Sequence, residues 1–404
     1  MRSLPTPPAQ ASDPLAFVAQ ELAQLDRQDL KRALRTIEGA QGPEVTIDGR
    51  RVLCLCSNNY LGLANDPRLV RAAVRALEDS GTGAGASRLI SGNMSAHDDL
   101  ERSIAEWKGT EAALLFNSGY HASCGVIPVL AGKGDLILSD QLNHASLIDG
   151  TRLSHAEVRV YRHGDVVDAA RKLADRDRFR RALLVTDTLF SMDADLAPLG
   201  DLVALARRAD ALLYVDEAHA SGVLGATGRG ALEHLGLADS RIVQMGTLGK
   251  ALGSFGAYVA STRGVVELLL NAARSFVFTT ALPPAVVAAS RAALDVVREE
   301  PERRARLGAL ARRLRSGLGA LGYRLAGEPE IPIVPVMIGE ARPTMALAAA
   351  LLERGVLASG IRPPTVPDGT SRIRVTLMAT MTDEHVERAL AAFAGAGRAT
   401  GTIR

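Results

Sequence analysis

IVQMGTLGKALG, residues 242–253, sets one lysine, Lys250, between Gly249 and Gly253 directly behind a short apolar run. Glycines on either side let the backbone come close to a bulky ligand, because they bring no side chain into the way. Two further runs upstream, ALLVT at 182–186 and ALLYV at 211–215, have the same character and also end in polar residues. Helical periodicity follows each of them, and that alternation predicts a mostly parallel, helix-covered α/β sheet. Ligands of open sheets sit beyond the carboxyl ends of the strands. The three strand ends therefore nominate Asp187 and Ser191, Asp216 and His219, and Thr247 and Lys250 as neighbours in one cleft.

The alternation extends from Asn59 to about Pro284, with helices expected at 68–78 and 97–107 and strands at 112–116 and 136–138. This predicts a large domain over 59–285. Before it, a Pro-rich opening leads into an amphipathic stretch over 15–35. A strand pair at 45–47 and 52–55 follows, turned by Asp48-Gly49, so that 1–58 reads as an N-terminal arm. After Pro283-Pro284 an Arg- and Ala-rich helical pattern continues to about residue 321, and strands are expected near 331–338 and 373–377. A smaller C-terminal α+β domain over 286–404 is the expectation. The arginines at 298–315 alternate with Leu and Ala at helical spacing, which reads as a solvated face.

Composition excludes several classes. Within 404 residues, 47% hydrophobic, 47 basic side chains face 45 acidic ones, so no whole-molecule field points to nucleic acid. Cys54, Cys56 and Cys124 suit neither a disulfide framework nor a four-ligand zinc site and read as buried reduced thiols; no metal is expected. No apolar run is long enough for a membrane helix, and the opening MRSLPTPPAQASDP lacks the apolar core of a signal peptide, which makes the cytoplasm the expected location. Asp216-Glu217-Ala218-His219 has the spelling of a helicase motif, but no phosphate loop accompanies it. Gly81-Thr82-Gly83-Ala84-Gly85 follows a helical segment instead of a strand, against a dinucleotide fingerprint. Serine-hydrolase and zinc-helix motifs are absent.

The chemistry rests on residues that each have a plainer reading alone. Lys250, flanked by apolar residues, would lie in a cleft wall where desolvation lowers its basicity and favours Schiff-base formation; alone, it could equally snorkel from a strand end. Asp216 closes an apolar strand and needs a charged, hydrogen-bonded partner, either a protonated pyridine nitrogen or a structural arginine. Asn117-Ser118-Gly119-Tyr120-His121 falls between a strand and a helix, where backbone N–H groups and the helix dipole suit phosphate. His144, in Asn143-His144-Ala145-Ser146, could stack on a heteroaromatic ring or cap the next helix.

Jointly, from about Arg32 to about Thr382, these segments resemble the α-oxoamine synthase family of fold-type I pyridoxal-phosphate enzymes. Ser57-Asn58-Asn59-Tyr60-Leu61-Gly62-Leu63, Phe190-Ser191-Met192-Asp193 and Ile361-Arg362-Pro363-Pro364-Thr365-Val366-Pro367 carry the likeness with the segments above. The resemblance implies pyridoxal 5'-phosphate as cofactor and Lys250 as its Schiff-base lysine. It makes Asp216 the partner of the pyridine nitrogen, His219 a donor to the ring hydroxyl and His144 the stacking residue. Gly119, Tyr120, Ser191 and Thr247 match cofactor contacts, and Thr279 with Thr280 a phosphate contact lent by a second subunit, which implies a homodimer with shared active sites.

Arg362 matches the α-carboxylate site, its swing limited by the two prolines behind it, although spacing alone also fits an exposed loop arginine. Arg32, Asn58 and Thr365 fall near the substrates. The implied reaction joins L-alanine to a pimeloyl thioester, on coenzyme A or acyl carrier protein, with loss of carbon dioxide, in biotin synthesis. Lys250 would remove the Cα proton and His144 would assist at the thioester carbonyl. A sister synthase taking glycine or serine with another acyl group is the alternative, and behind it an aminotransferase or lyase. Ala194 where the family usually has glycine, and Ala220-Ser221 in place of Gly-Thr, exchange small residues for small ones. Such a change shifts apolar selectivity by about 1–3 kcal/mol.

Overall fold

Seven strands form the central sheet of the computed structural model, which describes residues 13–28 and 30–404. In spatial order they are Ala112–Phe116, Ala257–Ser261, Ile242–Thr247, Leu212–Asp216, Ala182–Asp187, Leu136–Asp140 and Glu157–Tyr161. All neighbours from Ile242–Thr247 to Glu157–Tyr161 pair in parallel, while Ala257–Ser261 runs against both its neighbours. The expected alternation is thus present, with one reversal. It is made by residues 248–256, which carry Lys250 and fold back through hydrogen bonds from Leu248 N to Gly256 O and from Gly253 N to Lys250 O. Gly253 is required in that turn: its φ is +65°, and a Cβ there would lie 2.4 Å from Ala64 N.

Burial explains why the strands are apolar without alternation. Leu183, Leu213, Val215 and Val243 are all 0% exposed, each worth about 1.5–3 kcal/mol of burial. Trimming Leu213 to alanine would cost about 2–5 kcal/mol. In the strands Leu136–Asp140, Ala182–Asp187 and Leu212–Asp216 the polar residues gather at the carboxyl ends, which Asp140, Asp187 and Asp216 close.

The remaining strands form two smaller three-stranded sheets, whose Val52, Val334 and Ile373 share a core with Leu213 and Val215 of the central sheet. Ile333–Gly339, Ser371–Thr376 and Ser359–Ile361 make an antiparallel sheet. The N-terminal strand pair, Glu44–Ile47 and Arg50–Cys54, is joined in parallel by Val356–Leu357 from the C-terminal part of the chain.

Several expectations need correction. The amphipathic stretch is helical only over Ala16–Arg27, and no residue of that helix is buried, so its periodicity finds no surface to pack on within one chain. The continuous helix expected up to residue 321 is two, Pro284–Glu299 and Pro301–Ala320. Pro301 supplies no N–H and forces Glu300 out of the helical region, to φ −119°, ψ 65°. The arginines of the second helix are not simply a solvated face: Arg303 donates to Leu61 O, Arg304 to Val297 O and Ala226 O, and Arg315 to Ala326 O and Ile333 O. Of the cysteines only Cys54 is buried, and Cys56 and Cys124 are half-buried, all as free thiols. The reading of the first twelve residues lies outside the described residues, and among the described residues no helix is long and apolar enough to cross a membrane.

Candidate active site

Five strand ends converge on one cavity of about 120 Å³. The first contributes a helix start: Ser118 caps the Gly119–Leu130 helix, its Oγ accepting from His121 N at 3.2 Å. Gly119 and Tyr120, the first residues of that helix, line the cavity at the positive end of the helix dipole. Gly119 is needed for space, since a Cβ there would stand 2.9 Å from Thr247 Cγ2.

The strand Leu136–Asp140 delivers His144, which caps the Ala145–Leu153 helix. Its Nδ1 accepts from Ser146 N at 3.2 Å, and its own N–H donates to Asp187 Oδ2 at 2.8 Å. The capping reading of His144 therefore holds while its ring still lines the cavity. Asp187 and Asp216 are Cα partners at the ends of adjacent strands. Asp216 Oδ1 accepts from Ala218 N at 2.8 Å, and Asp216 forms no ion pair among the described residues.

Electrostatics follow from that crowding. Burial pushes the Asp216 carboxyl up, opposed by the nearby Lys250 ammonium. Asp187 is pushed well above the usual carboxylate range by burial and then by Asp216. Lys250 moves down because of burial, with Asp216 and Asp187 holding it back. His219 lies well below the ordinary imidazole value, again by burial. His144 stands at the open mouth of the cleft, yet the protein packed around it still lowers its affinity for a proton. An amine of lowered basicity beside an unpartnered carboxyl can form an imine and hold a cationic ring.

Gly119, Tyr120, His144, Asp216, His219, Thr247 and Lys250, expected from the sequence, all line this cavity. Ser191 does not line it; its carbonyl accepts from Arg374 Nε at 2.7 Å. Thr279 and Thr280 stand beside Asn117 of the same chain, whose Nδ2 donates to Thr279 Oγ1 and Thr280 O, both at 3.0 Å. Arg362 Nη1 meets Met345 Sδ at 3.2 Å, and its Nη2 donates to Lys31 O at 3.4 Å, which brings the Arg32 segment beside it. Thr365 N closes a turn onto Arg362 O.

A buried network behind the cavity was not foreseen. Tyr60, 0% exposed, has its hydroxyl 2.7 Å from His219 Nδ1. Arg374 donates to Tyr60 Oη at 3.2 Å and, through both Nη atoms, to Asn58 Oδ1. The signal was the spacing of Arg372 and Arg374 at alternate positions around the apolar Ile373 and Val375. A larger cavity, about 460 Å³, lies at the opposite end of the sheet. Its wall includes Lys108, which is already paired with Glu217, and Asp239, paired with Arg207.

A sequence profile of the family described as aminotransferase class I and II matches residues 50–393. The chain is 55% identical to 8-amino-7-oxononanoate synthase of Geobacter sulfurreducens over 389 residues, 96% of this chain and 99% of that protein. Its structure is similar to serine palmitoyltransferase of S. paucimobilis with a bound PLP–myriocin adduct, at a TM-score of 0.90 and 34% identity, covering 96% of this chain and 98% of that one. It is also similar to 8-amino-7-oxononanoate synthase of Francisella tularensis, at a TM-score of 0.74 and 27% identity over 85% of this chain and 97% of that one.

Proposed function

The chain belongs to the aminotransferase class I and II family, and from that premise we propose that it condenses L-alanine with a pimeloyl thioester. The products are 8-amino-7-oxononanoate, carbon dioxide and free thiol, a step of biotin synthesis, with pyridoxal 5'-phosphate as cofactor and the fold that of the fold-type I enzymes. The observation that carries the reading is the convergence of a half-buried amine, Lys250, and a buried carboxyl without an ion-pair partner among the described residues, Asp216, on one cavity. The residues fit the cofactor: an acid for its ring nitrogen, an amine for its aldehyde, and a helix start cleared by Gly119 for its phosphate. The choice within the family rests on identity, 55% to an 8-amino-7-oxononanoate synthase against 34% to a serine palmitoyltransferase.

Pyridoxal 5'-phosphate, when bound, supplies an aldehyde for the substrate amine and a ring that takes up the electrons left at the α-carbon. Asp216 would keep a proton on the ring nitrogen. Lys250 would hold the aldehyde and is the amine placed to take the α-proton of alanine. His144 would lie against the ring and could donate to the developing oxyanion of the thioester carbonyl. The Tyr60 hydroxyl has one proton and two acceptors within reach, Asn58 Oδ1 at 3.1 Å and His219 Nδ1 at 2.7 Å, and the nearer imidazole nitrogen takes it while Arg374 supplies Asn58 Oδ1 with two other donors. The His219 proton then resides on Nε2, as a donor to the ring hydroxyl requires.

Gly119, Tyr120 and Thr247, which line the cavity, would hold the cofactor, whereas Ser191 stands outside that lining; Arg362 binds the α-carboxylate, with Arg32, Asn58 and Thr365 near the substrates. Thr279 and Thr280 serve the neighbouring subunit of a homodimer. A cytoplasmic setting suits the three free thiols.

The test is thiol release by the purified protein with alanine, glycine or serine crossed against pimeloyl-CoA, pimeloyl-acyl carrier protein and palmitoyl-CoA. Alanine with either pimeloyl donor should be fastest. Preference for serine and palmitoyl-CoA would overturn the assignment.

A further inference from the structure

Residue His163 follows the edge strand Glu157–Tyr161 and takes no part in the chemistry above. Its Nδ1 lies 2.9 Å from Asp140 Oδ1 and its Nε2 lies 2.7 Å from Asp195 Oδ2. Carboxylate oxygens only accept, so both ring nitrogens must donate, and a neutral imidazole has one N–H. The ring therefore carries a positive charge between two carboxylates. It also meets Phe190 edge-on, with centroids 4.4 Å apart and an interplanar angle of 83°.

Both carboxylates stand next to segments that line the cleft: the turn after Asp140 carries His144, and Asp195 lies in the loop that follows Asp187. Asp140 ends the strand leading to His144, and besides His163 it accepts from Leu142 N at 2.8 Å and Gly164 N at 3.0 Å. Asp195 and Phe190 belong to the loop carrying Ser191. That loop is closed on itself by Phe190 N to Asp195 O at 3.0 Å and Ala194 N to Phe190 O at 2.8 Å. Its other side is held by Arg374 on Ser191 O and by Arg372 on Met192 O and Asp193 Oδ1. His163 is the cation that closes the remaining side.

From this geometry we propose that His163 is a positioning residue: by bridging Asp140 and Asp195 it sets the spacing between the His144 turn and the Ser191 loop, and so the fit of the cleft to the cofactor ring. The proposal rests on the reading of that cleft as a pyridoxal-phosphate site. Hydrogen bonds to a charged group are the strong class, and the two bonds hold the imidazole proton affinity up, to about 10. Removing the bridge leaves Asp140 with its two backbone donors, whereas Asp195 loses its imidazole partner and its Oδ1 is already buried without one. The Ser191 loop is the side that loosens.

The experiment uses the full chain with and without pyridoxal 5'-phosphate. In the cofactor-free protein at pH 8, ¹⁵N resonances of labelled histidine, assigned by comparison with His163→Gln, should show His163 protonated on both ring nitrogens. A neutral ring overturns the proposal. His163→Gln keeps one donor, and Asp195→Asn keeps the acceptor while removing the charge. Both should unfold cooperatively yet bind the cofactor about ten- to hundredfold more weakly in a spectral titration. Wild-type affinity in the folded variants, with or without a loss of thermal stability, marks a residue that only supports the fold and overturns the proposal. Should His163→Gln fail to fold, Asp195→Asn still decides the matter, by its cofactor affinity and by identifying the His163 resonances through their shift on loss of the partner charge. If the wild-type chain itself takes up no cofactor, the functional reading is the one that fails.

Discussion

The main-chain N–H of His144 donates to Asp187 Oδ2 across 2.8 Å, so the imidazole at the cleft mouth is oriented by a carboxyl from the neighbouring strand. The same Asp187 receives its own N–H bond partner from that turn, Asn143 Oδ1 at 3.0 Å. The two segments are thus locked in both directions.

Replacing Asp187 by alanine leaves the His144 amide without its acceptor, at a cost of about 1 kcal/mol or more. Asparagine keeps an acceptor oxygen at the same place. Urea unfolding should rank wild type and Asp187→Asn close together with Asp187→Ala below them. In the alanine variant kcat should fall as well, because His144 loses its orientation. Equal stability and turnover in all three would show that the bond does not position the ring.

Lys250→Ala should abolish turnover, by at least about 10²–10⁴-fold, the usual worth of a positioned acid–base group. Weak cofactor binding should survive, since Asp216, His144 and the helix start at Gly119 remain. Dialysis should then remove the cofactor from the variant but not from wild type. Turnover of the variant near the wild-type rate would sink the assignment of the lysine.

Much of this site was legible because buried parallel strands are apolar to their ends, and the first polar residue after each run then marks the cleft. Lys250, Asp216, His219 and Thr247 were found in that way, whereas Gly119 came from a strand-to-helix segment and the family resemblance. The turn at 248–256 was not, because nothing in TLGKALGSFG distinguishes a reversal from a loop into a helix. The charged supports were also hidden: Arg374 reaches Tyr60 across 314 residues and His163 reaches Asp195 across 32. Pairing of buried charges is set by which loops meet in space, and no local pattern records it. Pro301 was visible in the sequence, yet its effect depended on whether a proline starts a new helix or kinks the old one.

Arg362 directly follows the strand Ser359–Ile361 and stands beside the 31–32 segment. If it binds the α-carboxylate, Arg362→Leu removes a charge-assisted contact worth about 1.5–3 kcal/mol. The KM for alanine should then rise about ten- to hundredfold while the KM for the thioester stays near wild type. Equal rises in both would place Arg362 outside the amino-acid site.

The bridge at His163 also predicts how stability depends on pH. Asp140, from the adjacent strand, and Asp195, from the Ser191 loop, face the ring and raise its proton affinity from 6.5 to about 10, so between those values the folded chain holds a proton that the unfolded chain releases. Stability therefore declines with rising pH across that window. The contribution is complete below pH 6.5 and gone above about pH 10. Comparing wild type with His163→Gln at each pH cancels the other titrations, and the stability gap between them should be widest near pH 6 and close towards pH 10. A gap that stays constant over that range would mean that the ring is neutral in the folded chain and that its hold on Asp195 does not depend on charge.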